Sequence, residues 1–65
     1  MKLIVNGSPL EVEAEDLHGA LAALDYGDAV VATAVNGAFG PAAARAGKAL
    51  AEGDRVEIVA PRQGG

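Results

Sequence analysis

Cysteine is absent from these 65 residues. No disulfide can brace the fold, no thiolate can hold a metal, and no redox chemistry can run through a thiol. Aromatics are almost as scarce: no tryptophan, one tyrosine, Tyr26, and one phenylalanine, Phe39. Bases are few as well, five Lys and Arg against nine Asp and Glu for a net charge of −4. A surface that tracks phosphates needs clustered cations with stacking rings between them, so nucleic acid is excluded as a partner. Long apolar runs are missing too. Leu3 to Val5 is the only one near the N-terminus, too short for a signal peptide, and nothing approaches the roughly 20 residues of a membrane span. The expectation is a soluble, cytoplasmic protein with no membrane association.

What is present fits one small domain. A chain of this length buries only about 60% of the surface its unfolded form exposes. Of its 33 apolar residues 15 are alanine, so burial must come from Leu, Val and Ile, with Phe39 expected to fill the core. Charge is uneven. Residues 1–33 carry one base, Lys2, against six acids, while 34–65 carry four bases, Arg45, Lys48, Arg55 and Arg62, against three acids. The acidic half reads as a solvated face, or as steering toward a basic partner.

Lys2 to Val5 is a β-branched and aliphatic run ended by Asn6-Gly7, the dipeptide that best supplies the positive φ angles of a tight hairpin turn. Leu10-Glu11-Val12-Glu13-Ala14 alternates apolar and acidic residues, the pattern of a strand with one buried face. Asp16 stands where a helix N-cap belongs, and Leu17, Ala20, Leu21 and Leu24 follow at the spacing of one helical face. Gly27 sits where a left-handed C-cap would end that helix. Val30 to Val35 reads as a covered strand, turned back toward Phe39 by a second pair, Asn36-Gly37. Pro41 to Leu50 suits a short helical turn and loop. Glu52-Gly53-Asp54 is a turn, and Arg55 to Ala60 alternates again, with Val56, Ile58 and Ala60 inward and Arg55, Glu57 and Val59 on the opposite face. The order β, β, α, β, short return, β predicts an α+β fold: a mixed sheet of four to five strands around one helix, the ubiquitin-like β-grasp. Residues 1–60 form the domain and 61–65 a flexible Gly-Gly tail.

An enzyme site needs converging groups, and few are offered. His18 is the only histidine, placed as a surface side chain. Ser8 lacks a nucleophile-elbow context. The carboxylates are too dispersed for a metal, and Gly37-Ala38-Phe39-Gly40 lacks the lysine and hydroxyl of a phosphate loop. The end of the sequence is different. Pro61 stiffens the exit from the last strand, and Gly64 and Gly65 leave a terminal carboxylate unhindered. Fully extended, Pro61 to Gly65 reaches about 16–18 Å, enough to enter a deep active site on another protein. A frayed terminus is the plain alternative.

Four stretches, KLIVNG, DLHGALAAL, VATAVNGAFGP and LAEGDRVEIVAPRQGG, together resemble the ubiquitin-like sulfur carrier family, most closely its ThiS-type members of thiamine biosynthesis. The likeness implies a carrier rather than an enzyme, binding no cofactor itself. In that family an E1-like adenylyltransferase of the ThiF type uses ATP and magnesium to activate the last glycine. A sulfur donor such as a cysteine desulfurase then supplies the atom that makes a C-terminal thiocarboxylate, and thiazole synthase of the ThiG type receives it. Gly65 maps onto the modified residue and Gly64 onto its required neighbour. Pro61, Arg62 and Gln63 on the tail and Arg55, Glu57 and Val59 on the sheet are the expected partner contacts. Carriers for molybdopterin, tRNA thiolation or cysteine synthesis share these features, as does a ubiquitin-like protein modifier, and a non-covalent interaction module is a third possibility.

Overall fold

The computed structural model describes residues 1–60. Five strands and one helix follow in the order β1 (Lys2–Val5), β2 (Ser8–Glu11), α1 (Leu17–Ala23), β3 (Ala32–Val35), β4 (Ala38–Gly40) and β5 (Arg55–Val59), with a 3-10 turn at Ala42–Gly47 before β5. They form one mixed sheet ordered β2-β1-β5-β3-β4. Its two central strands, β1 and β5, run parallel, and all other pairs are antiparallel. With α1 packed across one face, this is the β-grasp.

Both hairpins turn on Asn-Gly for the expected reason. Asn6 and Gly7 sit at φ 49° and 85°, Asn36 and Gly37 at 50° and 87°, the paired positive angles of a two-residue turn matched to strand twist. The asparagines do more than turn. Asn6 Oδ1 accepts from the Ile58 N–H at 2.8 Å, and Asn36 Oδ1 accepts from the Arg55 N–H at 3.0 Å. The β1–β5 ladder ends at Val5 opposite Val56; the Asn6 side chain carries it one bond further and satisfies an amide that β1 is too short to reach.

Helix α1 starts as expected: Asp16 is its N-cap and accepts from the Gly19 N–H at 2.7 Å. That bond also accounts for Gly19, where a Cβ would meet Asp16 Oδ1 at 3.3 Å and Ala14 Cβ at 3.5 Å. The C-terminus differs from the expectation. The left-handed residue is Asp25, φ 69°, and not Gly27. The Asp25 N–H bonds Ala22 O at 3.2 Å and the Tyr26 N–H bonds Leu21 O at 2.7 Å, the paired bonds of a Schellman cap. The helix closes two residues early because Tyr26 packs back against the core.

The core is Leu3, Val5, Val12, Leu17, Ala20, Leu21, Val31, Val35, Leu50, Val56 and Ile58. Three expectations about it fail. Phe39 is 79% exposed, because it pairs with Ala34 and Ala34 with Glu57, so it stands on the face away from α1. Ala60 is exposed: β5 ends at Val59, opposite the first residue of β3. Strand β2 runs Ser8–Glu11 with all four residues exposed, and its predicted alternation survives only beyond the strand, in Val12, buried with its N–H on Met1 O at 2.8 Å, and Ala14, half-buried against the core. An edge strand with no layer over it has nothing to bury against.

Candidate functional site

The β5 strand is where the predicted site begins. It lies between β1 and β3, paired with β3 from Val56 to Val59, and Val56 and Ile58 anchor it in the core at 1% and 6% exposure. Held by β3 as far as Val59 and on its other edge by β1 to Val56 and the Asn6 side chain at Ile58, the strand gives whatever follows a fixed origin. Of the predicted contact residues, Pro61, Arg62, Gln63, Gly64 and Gly65 lie outside the described residues. Arg55, Glu57 and Val59 lie within them and share the outer face, as their alternation with Val56 and Ile58 requires.

The register brings further residues to that face. Glu57 pairs with Ala34 and Ala34 with Phe39, Val59 pairs with Ala32, and Arg55 with Ile4. Paired residues point to the same side of a sheet. The outer face therefore carries the exposed apolar residues Phe39, Ala32 and Val59, with Ala34 buried between its neighbours, beside the charges of Arg55 and Glu57. Phe39 at 79% and Val59 at 61% are its large exposed members. Val30, also exposed, precedes β3 at the end of the sheet where β5 finishes. Phe39 and Val59 thus stand exposed next to a pair of opposite charges, Arg55 and Glu57. Phe39 was missed as a contact residue although the sequence held the signal. A two-residue turn at Asn36-Gly37 puts Val35 and Ala38 on one side, so the next residue must point to the other.

Local electrostatics are modest. Asp54 sits in the turn before β5 with its pKa lowered, first by the Ala51 N–H and then by the Asn36 side chain, both of which bond the carboxylate. At the far side of the sheet the Met1 ammonium donates to Val12 O at 2.9 Å and pairs with Glu11 Oε2 at 2.9 Å; that carboxylate raises its pKa. His18 and Ser8 are exposed, on α1 and β2. Among the described residues no three His, Cys, Asp or Glu gather as a metal site, and the outer face holds no nucleophile–base pair.

The profile of the ThiS family matches residues 3–65. The crystal structure of the thiamine biosynthesis protein ThiS from Geobacter metallireducens is similar at 35% identity and a TM-score of 0.79, over 100% of both chains. No curated protein matches.

Proposed function

This chain belongs to the ThiS family, and from that premise we propose that it is a sulfur carrier of thiamine biosynthesis whose reacting atom is the carboxyl carbon of Gly65. The observation that carries the proposal is the reach of the family match, which runs through the diglycine to residue 65. A glycine carboxylate has an ordinary pKa near 3.3–3.7 and is a poor electrophile at neutral pH. Activation is needed. The carboxylate attacks the α-phosphorus of ATP on an E1-like partner, with magnesium held there, and pyrophosphate leaves. Sulfide-level sulfur, HS⁻ released on the partner, then attacks the acyl carbon, AMP departs with the original oxygen, and the sulfur's proton goes to solvent. The product is a thiocarboxylate, which hands sulfur to a thiazole synthase.

In this reading the carrier contributes geometry and no catalysis. Residues 1–60 are a rigid handle, and 61–65 are the arm that enters the partner's site. Gly64 matters because a Cβ beside the acyl group would crowd a narrow channel. Pro61, Arg62 and Gln63 line the arm. The outer face, with Phe39, Val59, Arg55 and Glu57, seats the partner so that the arm meets the catalytic groups, a proximity effect. The carrier binds no cofactor of its own. No helix among the described residues is long and apolar enough to cross a membrane.

Incubation with the activating enzyme, ATP and a sulfur source, followed by intact mass measurement, tests this. The expected result is a mass gain equal to replacing one oxygen by sulfur, abolished by deleting Gly64 and Gly65 and slowed by Gly64→Ala. A ladder of larger conjugates would instead mean a protein modifier, and full thiamine synthesis in cells carrying the deletion would mean a non-covalent module.

A further inference from the structure

The two edges of the sheet are treated differently. In a two-residue hairpin the residues flanking the turn exchange both backbone bonds, and the next pair does not. On β2 that next residue is Pro9, opposite Ile4. It has no N–H to offer, so this edge is blunted at the position where its backbone faces outward. On β4 the corresponding residue is Phe39, opposite Ala34. Its N–H and C=O point away from the sheet, and neither takes part in any hydrogen bond outside the strand ladder among the described residues.

A groove runs beside this open edge, on the face that carries α1. It measures about 260 Å³. Leu17 and Val35 form its floor, Ala38 and Gly40 one wall, Ala44 and Lys48 the other. The β4 wall is low because Gly40 has no side chain, and a Cβ there would meet nothing within 4 Å. Two cations stand along the 3-10 side. The Arg45 guanidinium is already engaged, donating to Val31 O at 2.7 Å and Thr33 Oγ1 at 3.3 Å. Lys48 is exposed and forms no ion pair among the described residues. Asp54, an acid that feels its charge, is itself held by Ala51 and Asn36.

We propose that the β4 edge and its groove take an extended segment of a partner protein by strand addition, the segment carrying an apolar residue and a carboxylate two positions apart. The residue opposite Phe39 exchanges two backbone hydrogen bonds with it. Its two neighbours then point into the groove, one over the low wall at Gly40 and the other toward Lys48. The charge decides the occupant. A second copy pairing β4 to β4 would bring another Lys48 and Arg45 to the same face and no acid among the residues lining the groove, whereas a carboxylate complements Lys48. Pro41 ends the edge after Gly40 and limits the added strand to one or two residues of pairing. This surface meets the outer face only at Phe39, whose backbone forms the edge while its side chain stands on that face, and it suits a contact that supplements the one there.

The probe is the capped pentapeptide Thr-Leu-Thr-Asp-Thr, titrated into the full chain and followed by backbone amide NMR. The expected result is saturable shifts at Phe39, Gly40, Gly47 and Lys48. Replacing Asp by Lys in the peptide, N-methylating its central residue, or using the Gly40→Val or Lys48→Glu protein should each weaken binding, by about three- to tenfold. Gly40→Val fills the groove with a residue suited to a strand, and its amide spectrum reports that the fold is kept. Three outcomes would overturn the proposal: shifts centred on Arg55, Glu57 and Val59 instead; equal binding of the Lys or N-methyl peptide; or concentration-dependent self-association that moves Phe39 without peptide.

Discussion

Asp54 uses both carboxylate oxygens: Oδ2 accepts from the Ala51 N–H at 2.9 Å and Oδ1 from Asn36 Nδ2 at 3.1 Å. These bonds favour the charged form, and the pKa falls below its ordinary 3.8. The sign follows from linkage. The stabilisation is present in full above 3.8 and is lost as pH falls below that value through the lower folded one. Urea midpoints measured down this range should drop more steeply for the wild type than for Asp54→Asn, which keeps a side chain of the same shape without the titration. Phe39 gives a second residue-scale test. Buried, its loss to alanine would cost about 3–5 kcal/mol. At 79% exposure the change in the urea midpoint should correspond to less than about 0.5 kcal/mol, while binding of the adenylating partner weakens. A single aromatic in a small chain invites assignment to the core on hydrophobicity alone. Strand parity after Asn36-Gly37 assigns it to the other face, and parity is the stronger constraint because every side chain of a strand must obey it.

The elements were legible wherever their signals are local. Two Asn-Gly turns, the Asp16 cap and the apolar spacing of α1 each act within a few residues, and each stands where the sequence puts it. The helix end was not legible, because Tyr26 ties the chain down through contacts with the core and thereby selects Asp25 for the left-handed position. At that position glycine is preferred to an L-residue. Asp25→Gly should therefore raise stability by about 0.5–1 kcal/mol in chemical denaturation. Gly27→Ala should cost nothing measurable, since its Cβ would meet only Ala22 Cα at the ordinary distance of 3.9 Å. If Gly27→Ala were the damaging change and Asp25→Gly neutral, the cap would lie where the sequence pattern first placed it.

At the scale of the whole molecule the thin core dominates. Leu3 is fully buried on a strand that pairs with one some fifty residues later. For a chain this small the net stability is on the order of 3–5 kcal/mol, and Leu→Ala in a core costs about 2–5. Leu3→Ala should thus leave much of the population unfolded at 25 °C, read as collapse of amide dispersion in the NMR spectrum. The amino-acid sequence by itself determined the element types, the hairpins, Val56 and Ile58 as the inward residues of β5 but not where that strand ends, and the family, because these follow from periodicity, from turn chemistry and from the stretches shared with relatives. Only the tertiary structure decided what joins the outer face, that both turn asparagines hold β5, and that one sheet edge is closed by Pro9 while the other is left open at Phe39. Those features depend on strand order and register, which are set by pairing between residues distant in the chain, and no local pattern encodes which strand will lie beside which.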